Sequence, residues 1–137
     1  MFDGPIEDRL AIRELHDRYS DAVVRMHADD WGAVWSDDAI WSLMGTQVEG
    51  KEAIVGLWSQ AMSGLDAVSF LMLPASIQVS GENAVGSAQT HEILKPKEGS
   101  TRLIGGLYED EFVKQDGRWL YSKRIFNIVA EYENTGA

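Results

Sequence analysis

The hydrophobic period of this chain changes once, near Ala67, and that change limits the folds open to it. Before it, apolar residues recur every three or four positions. Ile12, Leu15, Tyr19, Ala22, Val23 and Met26 mark one face of a helix expected from Pro5 to His27. Asp3 and Gly4 are its expected caps, Pro5 suits the first turn, and Glu7 and Asp8 complement the positive helix start. Asp29 is expected to cap a short second helix holding Trp31, Val34 and Trp35, with a brief strand over Ala39–Met44. Gly50 then precedes a third helix with Ile54, Leu57, Trp58, Ala61 and Met62 on one face. After Ala67 the alternation is strand-like: Val68–Ser80, Ala84–Lys95, Thr101–Gln115 and Arg118–Tyr132. Gly81-Glu82-Asn83, Lys97-Glu98-Gly99 and Gln115-Asp116-Gly117 are the turns between them, the Asp-Gly pair being the strongest hairpin signal. Helices first and a meander last define an α+β fold. The expected form is a cone-shaped curved antiparallel sheet wrapped around a long N-terminal helix plus two shorter ones.

At 137 residues the expectation is a single domain over 1–137. A net charge of -10 argues against nucleic acid and against anionic membrane surfaces, both of which call for clustered Lys and Arg. The absence of cysteine excludes disulfides and thiolate metal sites and is compatible with a reducing cytoplasm. MFDGPIEDR has neither a basic nor an apolar signal region, and the uncharged run Ala67–Gly81 is interrupted by Pro74. A cytoplasmic location is therefore expected.

Several segments in this order carry a resemblance. They are Ile12–Tyr19 with Ala22-Val23, then Trp31 and Trp35 with Asp38-Ala39-Ile40-Trp41, and Gly50-Lys51-Glu52-Ala53-Ile54. Gly106-Leu107-Tyr108-Glu109-Asp110 and Asp116-Gly117-Arg118-Trp119 with Arg124 follow. Together they resemble the SnoaL-like branch of the nuclear transport factor 2-like superfamily, with its scytalone dehydratase- and ketosteroid isomerase-like fold. That superfamily is a scaffold for isomerases, dehydratases, epoxide hydrolases, polyketide cyclases and plain binding modules, so it implies a fold more than a reaction. It also implies self-association through the outer sheet face, and a homodimer is expected.

Several lyases of the superfamily pair an Asp near the end of the first helix with a His on the first long strand. The carboxylate orients the imidazole, which takes a proton next to a leaving group. This sequence departs from that pattern. The Asp position falls on Val24 counted from Tyr19, or on His27 counted from Trp31, and Phe70 stands about where the His is expected.

Other groups are therefore candidates. His91 and Glu92 lie in one strand and point to opposite faces, so one of the two lines the interior and which one stays open. His91 and His27 are the candidate bases, against a reading of His91 as an ordinary sheet residue. Tyr108 and Asp110 share a strand face, where a protonated carboxyl beside a tyrosine can hold an oxyanion. The favoured alternative pairs Asp110 with Arg124. Tyr19 is expected to project its hydroxyl inward from the first helix, with a plain core role as the alternative. His16 is expected at the surface. No metal site is expected, since no His-Glu-x-x-His or similar spacing occurs. Trp41, Trp58, Phe70, Met72 and Val23 form the expected apolar wall for a flat or cyclic ligand, although core packing accounts for most of the aromatic set. Gly105-Gly106 is read as a bend or bulge.

The function expected is a cofactor-independent small enzyme of dehydratase, isomerase or cyclase type, moving protons on an apolar cyclic substrate. The alternative is a non-catalytic small-molecule-binding module of the same fold.

Overall fold

The computed structural model describes residues 1–135. Ten elements follow in order: β1 (Phe2–Asp3), α1 (Ile6–Arg25), α2 (Ala28–Gly32), β2 (Trp35–Leu43), β3 (Thr46–Glu49), α3 (Lys51–Ser63), β4 (Leu65–Ser80), β5 (Asn83–Pro96), β6 (Thr101–Gln115) and β7 (Arg118–Asn134). The strands form one seven-stranded sheet in the order β1-β4-β5-β6-β7-β2-β3. The α+β class stands, and the four long strands form the expected antiparallel meander. Two further pairings, β1 with β4 and β2 with β7, are parallel.

Helix α1 stops at Arg25, two residues short of expectation. Met26 turns left-handed at φ 54°, and its N–H and that of His27 close onto Val23 and Ala22 carbonyls. His27, not Asp29, then caps α2, its Nδ1 accepting the Asp30 N–H. Pro5 stands at the start of α1 without a side-chain cap bond. Trp35 opens β2 rather than extending α2, while β1 and β3 had no counterpart among the expected elements.

The buried face of α1 carries Ile12, Leu15, Tyr19, Ala22 and Val23, as its spacing requires, and adds His16. His16 is buried, not at the surface, because it shares that face one residue beyond Leu15. The helix packs on the inner face of β4 and β7. Trp31, Trp35, Tyr121 and Phe112 fill the closed end of the cone and are almost wholly excluded from solvent. In α3 only Ile54 and Trp58 are buried; Leu57 and Ala61, expected on the same face, are exposed.

The sheet is bent where its ladders slip. The β6–β7 register shifts between Gly105 and Gly106, as the glycine pair foretold. Gly106 is also a contact point. A Cβ there would meet the Phe126 ring at 2.2 Å and Thr90 Oγ1 at 2.8 Å. No helix among the described residues is long and apolar enough to cross a membrane.

Candidate active site

The inner sheet face carries an unusual load of polar groups, each delivered by strand alternation. Even-numbered residues of β5 and β6 point inward: Thr90 and Glu92 from β5, Tyr108 and Asp110 from β6. Arg124 comes from β7 beside Asp110, in register with it.

Arg124 is fully buried. Its Nε and Nη2 donate to the two Asp110 oxygens at 2.7 and 3.0 Å, a bidentate pair in which neither side chain reaches solvent. Nη2 also reaches the Met72 sulfur at 3.4 Å. The guanidinium lies 3.6 Å above the Tyr108 ring centroid and 4.1 and 4.6 Å from those of Tyr121 and Tyr19. Burial works against the Arg124 charge, but Asp110 and the phenols outweigh it, and the guanidinium is held protonated more firmly than usual. Burial likewise raises the Asp110 carboxyl, and Arg124 pulls it back. The fork geometry of the contact is that of an ion pair. Asp110 is therefore engaged with Arg124, as the favoured alternative had it, rather than free as a neutral donor beside Tyr108.

Above this pair lies a cluster of donors. Trp41 Nε1 donates to Tyr108 Oη at 3.2 Å, and the Tyr108 and Tyr19 hydroxyls are 3.1 Å apart. Burial keeps both phenols protonated by raising Tyr19 and raising Tyr108 further. Deeper still, His16 Nδ1 and the Tyr121 hydroxyl meet at 2.6 Å. Burial, reinforced by the Arg124 charge, keeps that imidazole neutral.

Exposure separates the closed end of the cone from its mouth. Trp31, Trp35 and Tyr121 are fully excluded, whereas Trp41, Phe70, Ile104 and Phe126 retain 6–7 % exposure. Met62, Met72, Leu94 and Ile128 are only partly buried. Glu92 lies at this mouth, opposite Phe70 on β4 and Ile104 on β6. Its carboxylate takes part in no hydrogen bond or ion pair with a described residue. Burial, opposed by the Arg102 charge, pushes it from an ordinary 4.5 to about 7. His91 is exposed and Glu92 is half-buried on the inward phase of β5, where it also borders the hollow that holds His91. The β5 sequence held a hint, because its inward set is small (Ala84, Gly86, Ala88, Thr90) and suits close packing under a helix, whereas the outward set holds Gln89 and Lys95.

The histidine candidates lie elsewhere. His91 is exposed on the convex face between Leu71 and Gly105, in a 530 Å³ hollow bordered by Glu92, Ile93, Leu103, Ile104 and Tyr132. His27 is exposed at the start of α2 and contacts Asp30 at 3.1 Å. Neither meets Tyr19, Tyr108 or Asp110, because strand alternation turns one outward and the cap of α2 holds the other. Val24, at one count of the superfamily's acidic position, is also exposed. Of the expected wall, Val23, Trp41, Trp58 and Phe70 are buried inside the cone, with Trp58 stacked on Trp31 at 4.5 Å, and Met72 is half-buried at its mouth. Among the described residues no three His, Asp or Glu side chains converge as a metal site would require. A second hollow of 910 Å³ runs along a flank of α1, past Asp17, Asp21 and Arg118, down to Ala22, Val34 and Trp119.

A curved sheet closed over a buried, polar-lined helix face is the architecture of the SnoaL-like domain, and the profile of that family matches residues 5–125. The chain belongs to the SnoaL-like domain family. Two curated proteins of Sphingobium indicum strains are each 26 % identical to it over 134 residues, spanning 85 % of this chain and 80 % of theirs. They are gamma-hexachlorocyclohexane dehydrochlorinase and hexachlorocyclohexane dehydrochlorinase 2. The type-3 hexachlorocyclohexane dehydrochlorinase of Novosphingobium barchaimii superposes with a TM-score of 0.85 at 20 % identity, over 96 % of this chain and 93 % of that one. An inferred scytalone dehydratase of Novosphingobium aromaticivorans gives 0.86 at 21 % identity, over 93 % and 87 %. At such identities the structural likeness is one of fold.

Proposed function

We propose that the protein is a small enzyme of lyase or isomerase type that moves a proton on an apolar cyclic substrate without a cofactor, with Glu92 as the base. The family and the named dehydrochlorinases support the coarser part of this reading, since a dehydrochlorinase removes a proton and a chloride from a carbocycle. One observation carries the finer part. The Glu92 carboxyl is inward, desolvated and unpaired, and it titrates near 7, where a base is about half ionised and still strong. It lies directly across the ladder from Phe70, the residue standing where several lyases of the superfamily are expected to keep a histidine. A base displaced by one strand reaches the same chamber.

In this scheme the ring of the substrate enters at Met72, Phe70 and Trp41, and Glu92 takes the proton. Tyr19 and Tyr108 present hydroxyls to the opposite side. Arg124 stays paired with Asp110 and acts through the tyrosine rings on which it rests. His91 and His27, with their exposed positions, have no part. The test is product analysis across a library of small cyclic compounds, followed by Glu92→Gln on any that turn over. Loss of turnover with binding retained supports the base; a Gln variant at the wild-type rate removes it.

A second reading, a binding module without catalysis, is favoured by one observation: neither Val24 nor Phe70 supplies the dyad of the superfamily's lyases. Thermal-shift hits that never undergo a chemical change would support it. Either way the chain is proposed to act as a homodimer through its convex face, where Leu71, Leu73, Ile93, Leu103 and Tyr132 are all exposed.

A further inference from the structure

Strand β1 and the outward stripe at the start of α1 take no part in the site described above. Phe2 and Asp3 pair in parallel with Ile77 and Gln78, and the Ile77 N–H donates to the Met1 carbonyl at 3.0 Å. Gly4 then turns the chain at φ 105°, so close to β4 that a Cβ there would stand 2.7 Å from that of Val79. Pro5 follows at the start of the helix. This corner holds β1 beside the first two turns of α1 and leaves a groove of 310 Å³ with buried Ile77 in its lining. Phe2 contributes from β1; Ile6 and Leu10, one helical turn apart, contribute from α1. Ile6 is 70 %, Leu10 54 % and Phe2 49 % exposed. Three large apolar side chains around one concavity make a patch rather than scattered points.

Charge decides what covers it. Arg9 and Arg13, also one turn apart, are the charged residues lining the groove, and no carboxylate lines it. Arg9 Nε donates to the Gly4 carbonyl at 2.9 Å, which holds its stem in place. Its terminal nitrogens, and the whole Arg13 guanidinium, have no hydrogen-bond or ion-pair partner among the described residues. The neighbouring acids are engaged elsewhere. Asp3 accepts the Gly4 N–H, Asp8 is held by Lys114 and Trp119, and Glu14 lines the 910 Å³ hollow. The net charge of -10 does not reverse the local sign, because exposed charges are screened beyond roughly 8 Å in physiological salt. We propose that this groove binds a medium-chain fatty carboxylate. Its alkyl tail lies along Phe2, Ile6 and Leu10 over Ile77, and its carboxylate meets the Arg9 and Arg13 guanidiniums. A small anion would gain little from exposed arginines alone, and a neutral chain would leave them unused. The volume is at the small end of ligand sites, which suits one unbranched chain. The site shares no residue with the Arg124 cluster or with Glu92, so it stands or falls independently of the proton-transfer reading.

The test is calorimetric titration of the full chain with two series of probes. Octanoate, octanol and octyltrimethylammonium vary the head; hexanoate, octanoate and decanoate vary the tail. Octanoate is expected to bind about fivefold more tightly than octanol, the scale of two exposed ion pairs, and the ammonium more weakly still. Affinity should rise about twofold for each added methylene, half of what full burial gives. Arg9→Gln combined with Arg13→Gln is expected to remove the preference for the carboxylate while octanol binds as before. Leu10→Asp, at an exposed position that the fold tolerates, should weaken every probe about tenfold. Equal binding of octanoate and octanol, affinity that does not change with tail length, or a preference undiminished in the double Gln variant overturns the proposal. No binding at millimolar concentration also overturns it, and a change of oligomeric state in Leu10→Asp would then assign the groove to a second copy.

Discussion

With Glu92 as the proposed base, stability is coupled to activity, and the sign of that coupling follows from one shift. Its folded value of about 7 lies above the ordinary 4.5, so between those values the folded state holds a proton that the unfolded chain has lost. Stability from this group is fully present below about pH 4.5 and is lost as pH rises through 7, by up to ~3 kcal/mol. The base is ionised over the same range, so turnover should rise with pH to a plateau above about 7 while stability falls. Glu92→Gln is expected to be the more stable protein at pH 8 by as much as ~2–3 kcal/mol, to gain nothing at pH 4, and to lose the pH-dependent turnover. Denaturant midpoints of the two proteins at both pH values check this, and a Gln variant no more stable at pH 8 would contradict the desolvated carboxylate. The Arg124–Asp110 pair has the opposite character. Asp110→Asn leaves a buried guanidinium half-paired under three tyrosines and should cost ~3–5 kcal/mol, read as a fall in thermal midpoint. His91→Ala, on the outer face, should leave turnover unchanged.

At the level of elements, what the sequence declared was what local periodicity can declare. The long helix, the four-strand meander and the Gly105-Gly106 slip follow from spacing and turn residues, as does the inward direction of Tyr19. The Asp110–Arg124 pair was legible because both residues fall on the inward phase of adjacent strands. Four features were not, and for physical reasons. β1 and β3 are too short to show a period. The end of α1 is decided by Met26 going left-handed, which no glycine announces. His16 reads as a flank residue until Tyr121, more than a hundred positions away, supplies its partner inside the core. Glu92 escaped for a related reason: strand phase leaves two choices, and only the burial of one sheet face in the fold selects one. The inner face also limits what the bend at Gly105-Gly106 can accept. Gly106→Ala sets a methyl carbon against the Phe126 ring and Thr90 Oγ1, both on the inner face, where neither side has room to yield. An overpacking cost of about 1–3 kcal/mol is expected, and Gly105→Ala, whose Cβ would meet nothing closer than 3.7 Å, should cost clearly less. Equal losses at the two glycines would mean that strand propensity, not contact, governs this bend.

The molecule as a whole presents two faces of one sheet with different tasks. The inner face is committed to the helix and to the buried polar cluster around Arg124, and every side chain that alternation turns away from it lands on the convex side. There Leu71 is 72 %, Leu73 61 % and Tyr132 61 % exposed, with Ile93 and Leu103 between them. These residues come from four adjacent strands, β4 to β7, spaced about 4.8 Å apart; Ile93, Leu103 and Tyr132 form one cross-strand row, with Leu71 and Leu73 beside it across Ser69, His91 and Gln89, an apolar-rich field about 15 Å across. A face so placed is covered most simply by its own copy, since a twofold axis through its centre matches each residue to an equivalent surface. The expected state is a dimer by light scattering at micromolar concentration. Leu71→Glu combined with Leu73→Glu should shift it to monomer, because opposed carboxylates at the seam would be desolvated without partners. The proposed site lies on the concave side of the sheet, and turnover per chain should survive this change while the thermal midpoint loses its dependence on protein concentration. A wild-type protein that is monomeric at these concentrations, or a double variant that stays dimeric, would place the contact elsewhere and leave the convex field unexplained.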